Sequence, residues 1–476
     1  MQGVSNRFFL ALSAVVILAA GPVSVLAQTS QTNQQTNQTS PPPPLTRPTI
    51  LSWPNPAQPA PSTTTTQPDV LLPQPSDTPQ PTYLTPITGA QGLLVETLDG
   101  KTLYAQSADE AFNPASAVKL ATALDALHTF GPQHRFITAV WTDGTFDKTS
   151  GTITGNLIIS GRDPSLHYEH AVMIAQELNR QGIRTVTGDL IIAPGFTMNF
   201  DWSARRSGEQ FYDTLDATRR PTAAARAWDQ ARTMMGQAQA SQGEPSVAVM
   251  GAVYVNSVPA NARMLLVHRS SKLVDVLKVL LCYSNNFMAE RIGDTLGGPQ
   301  GLRRFLIDKV GLSPSDVSFA STSGLGVNRV TPRAMMKIYR ALSDELGKHQ
   351  LEPSDILPVA GIDPGTLEKR YQSSPSRGSV IAKTGTLIRT DGGASALVGQ
   401  MRTRSGETLL FVIFNQRGSV WRFRQNQDFL VSQIQSSRGG PAPFNYQPTT
   451  LAMRLSDTER DAARPASADE YEPGDN

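Results

Sequence analysis

The segment formed by residues 113–127 constrains the fold of this 476-residue chain more than any other. It predicts an apolar helix, because Asn113 can cap the first turn and Pro114 suits the first helical position, after which Ala, Leu and Val follow at helical density. Just before it, residues 93–98 and 101–104 alternate as two strands around an Asp-Gly turn. A hairpin that leads directly into an apolar helix predicts a sheet packed against helices.

Two polar side chains lie in this helix where packing alone does not require them. Ser116 lies in the predicted first turn and Lys119 follows three residues later, so both project from one face. The N–H of Ser116 belongs to the group at a helix start that has no partner inside the helix. A nucleophile, an amine and an unpaired N–H at one point predict acyl transfer. The alternative is a capping serine beside a solvated lysine, and the spacing alone does not decide between them.

Charge and cysteine content exclude several functional classes. The formal net charge is +2 and the basic residues are scattered, which argues against nucleic acid and against an anionic membrane surface as partners. Cys282 is the only cysteine, so no disulfide can form within the chain, and its apolar neighbours predict a core residue. His167 and His170 lack the glutamate of a zinc helix motif. We therefore expect neither a metal nor a cofactor.

The N-terminus predicts export. Arg7 precedes an apolar run over residues 8–26, and Val25 and Ala27 are the small residues expected ahead of a signal-peptidase cut. An uncleaved anchor is the alternative, since the run is just long enough to span a bilayer. We predict a signal peptide over residues 1–27 and a periplasmic location in a bacterial cell envelope, with peripheral membrane association left open.

Composition divides the remaining chain. Residues 28–83 are rich in Gln, Thr, Pro and Ser and predict a disordered tether. Residues 84–134 and 263–437 predict one catalytic domain, interrupted by an inserted domain over residues 135–262. Pro, Asp, Glu and Ala then dominate, so residues 438–476 predict a disordered tail.

The inserted region contains one strand pattern twice. Residues 154–159 and 187–192 are near-copies 33 positions apart, with a helical segment over 170–181 between them. A strand, a helix and a second strand predict a small α/β domain whose two strands are parallel. Residues 202–242 predict a surface excursion with one helix near 223–237, to which the sequence assigns no chemistry.

The C-terminal half predicts a second set of helices and strands. An apolar helical pattern runs through residues 271–292. Residues 379–386, 394–403 and 408–415 then alternate as strands with glycine-rich turns, as neighbours in an antiparallel sheet do. A helix over 419–436 closes the fold, which we therefore expect to be an α+β antiparallel sheet flanked by helices.

Three polar clusters interrupt segments that otherwise resemble core. They are Ser116 with Lys119, Ser284-Asn285-Asn286, and Lys383-Thr384-Gly385-Thr386. The second has a plain alternative as a loop, and the lysine of the third has one as an edge-strand charge that discourages aggregation. Together, and in this order, they match the S-x-x-K, S-x-N and K-T-G set of active-site serine penicillin-recognising enzymes.

The expected chemistry explains these residue types. Ser116 is a poor nucleophile until a base takes its proton. Lys119 can be that base only when neutral, so burial and the second cation, Lys383, are expected to lower its pKa well below about 10.4. Ser284 can relay a proton to the leaving amine, and Asn286 can bind a substrate amide.

The remaining residues of the clusters are expected on the substrate side. An N–H at Thr386 can join that of the nucleophile as an oxyanion hole, worth about 3–4 kcal/mol per donor. Gly385 would keep the strand edge open to substrate. Lys383, Thr384 or Thr386 would hold a substrate carboxylate, and Asn285 is expected to contact substrate beside them.

Beyond the superfamily motifs, the chain resembles D-alanyl-D-alanine carboxypeptidases/endopeptidases of the low-molecular-weight class C penicillin-binding proteins (DacB type). The resemblance spans residues 91–429, and the first two clusters are 168 positions apart, too far for a compact β-lactamase. It rests on the hairpin before Ser116 and on six local signatures. These are Gly161-Arg-Asp-Pro-Ser-Leu166, Gly182-Ile-Arg-Thr-Val-Thr-Gly-Asp-Leu190, Ser284-Asn-Asn-Phe-Met-Ala-Glu290, Ser323-Gly-Leu-Gly-Val-Asn-Arg329, Leu357-Pro-Val-Ala-Gly361 followed by Gly365-Thr-Leu367, and Ala382-Lys-Thr-Gly-Thr-Leu387.

The resemblance implies a β-lactamase/transpeptidase-like fold with an inserted smaller α/β domain. It also implies an acyl-enzyme on Ser116, peptidoglycan stem peptides and cross-links as substrates, and β-lactam antibiotics as covalent inhibitors. The sequence departs from the family at Thr322, where the family has Asp, and in a shorter insertion. A β-lactamase or esterase on the same scaffold and a non-catalytic wall-binding protein are the alternatives. Carboxypeptidase versus endopeptidase preference, the third stem-peptide residue and the oligomeric state stay open.

Overall fold

The computed structural model describes residues 88–236 and 243–462. The predicted signal peptide and the whole predicted tether, residues 28–83, together with residues 463–476, lie outside the described residues. Within the described ranges, every helix is too short or too polar to cross a bilayer.

The described residues form eleven α-helices and seventeen strands. The strands are β1 Ala90–Thr97, β2 Thr102–Gln106, β3 Arg135–Thr142, β4 Thr145–Asp147, β5 Thr152–Thr154, β6 Leu157–Gly161, β7 Thr185–Val186, β8 Leu190–Ile192, β9 Ala248–Val249, β10 Val253–Val255, β11 Arg263–Lys272, β12 Val317–Ser318, β13 Arg329–Val330, β14 Val380–Leu387, β15 Ala394–Arg402, β16 Thr408–Gln416 and β17 Glu459–Ala462. The helices are α1 Val118–Phe130, α2 Tyr168–Arg180, α3 Ala204–Leu215, α4 Thr222–Met234, α5 Leu273–Tyr283, α6 Asn286–Thr295, α7 Gly298–Val310, α8 Pro332–Lys348, α9 Pro353–Ile356, α10 Val420–Ser436 and α11 Leu451–Ser456.

A five-stranded antiparallel sheet in the order β14-β15-β16-β1-β2 organises the first part of the fold. Its side chains alternate between two cores, as the two-residue period of a strand requires. In β16, Val412 and Phe414 pack with helices α1, α5 and α8, whereas Phe411 and Ile413 pack with α10. The predicted antiparallel sheet flanked by helices is confirmed.

A six-stranded sheet in the order β10-β8-β6-β3-β11-β17 organises the second part. The two near-copies in the sequence, β6 and β8, are parallel neighbours, and Leu157 lies opposite Leu190. Helix α2 connects them, as expected for a parallel crossover. The predicted α/β arrangement of this region is therefore present.

Two helices replace the single one predicted between residues 202 and 242. The prediction missed α3, in which Phe211 and Leu215 are fully buried and four residues apart. Arg, Glu, Gln and Asp fill the positions around them and hid this narrow apolar stripe from composition. Both helices pack on the region, since Trp228 of α4 is also buried against α2. Residues 202–236 are therefore part of the fold and not a surface excursion, whereas residues 237–242 lie outside the described residues.

Strand β11 corrects the predicted end of the insertion. It pairs along its length with β3, so residues 263–272 belong to the six-stranded sheet, although the sequence assigned them to the catalytic domain. The apolar helical pattern that was expected from residue 271 begins at Leu273 instead.

The C-terminal segment corrects the predicted disordered tail as far as residue 462. Leu451 and Leu455 in α11 are buried against the core that includes α5, and Arg454 forms an ion pair of 2.7 Å with Asp275. Strand β17 then pairs with β11. Two leucines four residues apart make a local apolar stripe, which the surrounding Pro, Asp and Glu masked in the composition.

A buried ion pair joins α5 to the segment that precedes β14. The Nζ of Lys278 lies 2.7 Å from Oδ2 of Asp363, and both side chains are fully buried. Lys278 also donates to the carbonyl oxygens of Ser354 and Leu357, and the other oxygen of Asp363 accepts from the hydroxyl of Tyr446. Because every partner is satisfied, the pair holds three chain segments at one point.

We predict that Asp363→Asn lowers the free energy of unfolding by about 3–5 kcal/mol, because it leaves the buried Lys278 cation without its counter-charge. Denaturant unfolding of the purified protein measures this change. Asp109→Asn is the matched control, since its pair with Arg333 is exposed and should cost less than about 1 kcal/mol. Equal losses in the two variants would contradict the prediction.

Candidate active site

Ser116 lies in a single turn of 3₁₀ helix, Ala115–Ala117, immediately before α1. The sequence predicted the first turn of an α-helix with Asn113 as its cap and Pro114 inside it, but Pro114 occupies the cap position. Asn113 still supports the turn, because its Oδ1 accepts from the N–H of Ala115 at 3.0 Å and its Nδ2 donates to Asp391. Ala115 has a φ of 46°, an uncommon conformation for a residue with a side chain. Asn113 therefore joins the start of the turn to Asp391.

Lys119 contacts three oxygen atoms at the base of this turn. Its Nζ lies 3.1 Å from Oγ of Ser116, 2.7 Å from Oδ1 of Asn286 and 2.6 Å from the carbonyl oxygen of Ser323. The last two oxygens can only accept hydrogen bonds. A neutral amine has two N–H groups for them, so its lone pair remains for the hydroxyl of Ser116. This arrangement is that of a general base beside its nucleophile.

Burial sets the protonation state of the two lysines. It lowers the pKa of Lys119 to about 7, while the nearby carboxylate of Glu290 raises that pKa in part. Burial first, and then repulsion from Lys119, lowers the pKa of Lys383 well below its usual value. The expected direction for Lys119 is thus present, but its cause is burial, and the repulsion between the amines acts mainly on Lys383.

The second cluster lies at a break between two helices. The sequence pattern indicated one continuous helical run, but α5 ends at Tyr283 and Ser284 adopts a left-handed conformation with a φ of 56°. Asn285 then caps α6, because its Oδ1 accepts from the N–H of Met288 at 3.0 Å. The break directs Ser284 towards Lys383. The sequence analysis expected Asn285 to contact substrate, but its side-chain oxygen already caps α6.

Lys383 lies on β14, the edge strand of the five-stranded sheet, and is fully buried. Its Nζ donates to Oγ of Ser284 and to the carbonyl oxygen of Thr384, both at 2.7 Å. The N–H of Arg402 in β15 donates to the carbonyl oxygen of Ser379, so these two residues form a hydrogen-bonded pair. In an antiparallel ladder every second residue forms such a pair, so from Ser379 onwards the odd-numbered residues of β14 bond to β15. Thr384 and, two residues on, Thr386 therefore point their main-chain groups away from β15, towards the free edge.

Two glycines allow the surrounding segments to approach the turn that contains Ser116. A Cβ on Gly385 would lie 2.4 Å from the carbonyl oxygen of Pro114. A Cβ on Gly324 would lie 2.0 Å from the carbonyl oxygen of Ala115. Gly385 was expected to leave the strand edge open to substrate, but it is needed instead for contact between β14 and the turn.

Glu290 ends a signature quoted for the family resemblance, but the sequence analysis gave it no role in the site. Its carboxylate accepts from the N–H of Ser323 at 3.0 Å and from the hydroxyl of Thr322 at 2.8 Å, and so it fixes the carbonyl that Lys119 contacts. Thr322, which the sequence analysis marked as a departure from the family, has its side chain engaged in this local network. Glu290 follows Asn286 by four residues on α6, so the helical spacing could have placed both on one face.

The region between β3 and β11 contributes an aromatic wall that the sequence analysis also missed. The ring of Trp202 lies 4.6 Å from that of Phe287, whose neighbour in the chain is Asn286. Phe200 contacts Phe287 from the same segment. Trp202 is 58% exposed and packs on the residue that follows Asn286, from a segment to which the sequence assigned no chemistry.

The cysteine and the possible metal-binding side chains of the described residues give no sign of further chemistry. Burial raises the pKa of the Cys282 thiol to about 12, so it is the inert core residue that was predicted. Within residues 88–236 and 243–462, the His, Cys, Asp and Glu side chains form no group of three that could hold a metal ion.

A comparison with protein families gives one match over most of the chain. The description of the matching family is D-Ala-D-Ala carboxypeptidase 3 (S13), over residues 86–246 and 214–432. A D-alanyl-D-alanine carboxypeptidase of Actinomadura sp. (strain R39) is 27% identical, over 74% of this chain and 82% of that protein. The D-alanyl-D-alanine carboxypeptidase DacB of Haemophilus influenzae is 24% identical, over 63% of this chain and 79% of the relative.

Solved structures confirm the fold class. A predatory endopeptidase from Bdellovibrio bacteriovorus, solved acylated by penicillin G and in complex with an immunity protein, has a TM-score of 0.65 and 22% identity. The match covers 76% of this chain and 96% of the other. Penicillin-binding protein 4 (DacB) from Haemophilus influenzae has a TM-score of 0.54 and 22% identity, over 73% and 97% of the two chains.

We predict that acylation by penicillin slows as the pH falls through about 7, because Lys119 must be neutral to accept the proton of Ser116. Glu290 raises the pKa of Lys119, so Glu290→Gln should lower that pKa and move the acidic limb of the profile to lower pH. The measurement is the second-order rate of labelling by a fluorescent penicillin against pH.

Asp294→Asn is the control for this shift, because Asp294 is an exposed residue of the same helix that pairs only with Arg291 among the described residues. Its profile should match that of the wild type. A limb that moves to higher pH in Glu290→Gln, or that stays in place, would contradict the role of Lys119.

Proposed function

Because the chain belongs to the D-Ala-D-Ala carboxypeptidase 3 (S13) family, we propose that Ser116 attacks the carbonyl carbon of a D-Ala–D-Ala bond or of a cross-link in peptidoglycan. The protein is a serine hydrolase of the penicillin-binding class, and Ser116 is its acylated residue. The observation that carries this proposal is the contact of Lys119 with Ser116 through an amine whose two N–H groups already have acceptors.

Acylation moves one proton and exchanges one acyl bond. Lys119 takes the hydroxyl proton of Ser116 as Oγ bonds to the carbonyl carbon, and the oxyanion faces the N–H groups of Ser116 and Thr386. The C–N bond then breaks, and the proton passes through Ser284 to the leaving nitrogen. Lys383 holds the hydroxyl of Ser284 at 2.7 Å for this transfer. Water cleaves the ester by the same route, with Lys119 again as base.

Asn286 and the free edge of β14 orient the substrate. Oδ1 of Asn286 accepts from Lys119, so its Nδ2 is the group directed to a substrate carbonyl. Thr384 and Thr386 offer main-chain groups to which an extended peptide can add as a further strand. The substrate peptide therefore lies between α6 and β14, with Trp202 beyond Asn286.

The arrangement of the whole chain follows from this role. We assign residues 84–134 and 273–437 to the catalytic domain and residues 135–272 to the inserted domain, because β11 (Arg263–Lys272) pairs with β3. Residues 1–27 would direct export and residues 28–83 would tether the enzyme in the periplasm of a bacterial envelope. Relatives from bacteria, including Haemophilus influenzae, support a cell-envelope location.

We predict that Ser116→Ala abolishes covalent labelling by a fluorescent penicillin, because it removes the proposed nucleophile. The variant should also leave a purified peptidoglycan digest unchanged by mass spectrometry, whereas the wild type removes one alanine from stem peptides or separates cross-linked dimers. Ser257→Ala, an exposed serine in the inserted region, should retain both reactions.

Labelling of Ser116→Ala at an unchanged rate would contradict the proposal. Rapid turnover of penicillin by the wild type, in place of a long-lived adduct, would instead indicate a β-lactamase or esterase. A protein that binds the digest but changes neither mass would indicate a non-catalytic wall-binding role.

A further inference from the structure

Arg424 contacts the substrate side of the site from a helix that the mechanism does not otherwise use. It lies on α10, and its Nη2 donates to Oγ1 of Thr386 at 2.8 Å. Thr386 ends the K-T-G-T segment and supplies the expected oxyanion-hole N–H. Arg424 as a whole residue is exposed, and its guanidinium is partly shielded, because burial lowers its pKa from the usual value. Its donors can therefore face a ligand at this edge of β14 from a partly desolvated position.

The charge of Arg424 is not neutralised by the protein. Asp428 follows it by four residues on α10, the usual spacing for an ion pair, but that carboxylate is engaged by Arg370 at 2.8 and 2.5 Å. Across the part of the chain that the structure describes, no carboxylate lies within ion-pair distance of Arg424. The contact with Thr386 uses one of the five N–H donors of the Arg424 guanidinium, which leaves four for a ligand.

Lys383 is a poor alternative as the anion-binding cation. It is fully buried, it donates to Ser284 and to the carbonyl of Thr384, and burial holds its pKa well below the usual value. Its amine is thus already used by two acceptors, and its lowered pKa disfavours the charged form that a carboxylate needs. Arginine keeps its charge at any working pH and matches a carboxylate with two parallel donors.

We propose that Arg424, together with the hydroxyl of Thr386, binds the free carboxylate on the leaving residue of the substrate. This inference rests on the proposed function, since the scissile carbonyl must point its oxygen at the N–H of Thr386. The next residue of the substrate, which carries the carboxylate, then extends past the Thr386 side chain. Arg424 is thus a specificity-determining residue that selects leaving groups with a free carboxylate over amidated ones.

The test compares two peptides with the same D-Ala–D-Ala end, one with a free C-terminal carboxylate and one with a C-terminal amide. For the wild type, we expect kcat/KM to be at least about 10-fold higher for the acid, because a hydrogen bond between two charged groups strengthens binding by at least that factor. Arg424→Gln should lose this preference through a higher KM for the acid, with no change for the amide. Arg424→Lys should recover part of it.

Arg422→Gln is the matched control, because Arg422 is an exposed arginine on the same helix, two residues from Arg424. It should keep the wild-type ratio of acid to amide. Dissociation constants of both peptides, measured with Ser116→Ala as the parent protein, give the same comparison without hydrolysis. Thermal unfolding should show Arg424→Gln folded like the wild type.

Two results would overturn the assignment of Arg424 while the proposed function stands. One is a wild type that penicillin acylates but that does not prefer acid over amide. The other is an Arg424→Gln variant that loses activity equally on both peptides, which would indicate a structural role. A wild type that is neither acylated nor active on either peptide would overturn the proposed function and the assignment together.

Discussion

The buried amine of Lys119 is the group on which the geometry of the site depends. Its contacts come from three separate segments, which are the turn with Ser116, the start of α6 with Asn286, and the loop at Ser323. A protonated amine in this enclosure would carry a charge away from water, and that cost is what brings its pKa to about 7. The packing that positions Lys119 therefore also lowers its pKa far enough for the amine to act as a base.

The convergence of these segments depends on close backbone contacts. Gly385 lets the edge strand β14 reach the turn that holds Ser116, and Gly324 lets the loop that contains Ser323 reach the same turn. Any side chain at either position would collide with main-chain oxygen atoms, which cannot move without displacing Ser116. The site thus depends on the five-stranded sheet being built to its edge, and the buried pair of Lys278 and Asp363 anchors the segment that precedes that edge.

The sequence was enough to predict the residues of the site whose side chains have a recognisable chemical role, such as a nucleophile or a base. Ser116 and Lys119 were predicted to meet because helical spacing places them on one face, and the antiparallel sheet followed from strand alternation. Arg424 was missed because its partner is 38 positions away and an arginine on a polar helix carries no signal of its own. Residues 451–462 were missed because two leucines that find a core only in three dimensions are averaged away in composition.

The most direct test of the central claim is to locate the covalent adduct on the unmodified protein. The protein is treated with penicillin G and digested with trypsin, and the peptides are sequenced by tandem mass spectrometry. We predict an adduct on the peptide that spans residues 102–119, assigned by fragmentation to Ser116, and more adduct at pH 8 than at pH 6. An adduct on another peptide, or one whose amount at early times falls as the pH rises, would contradict Ser116 as the nucleophile and Lys119 as its base.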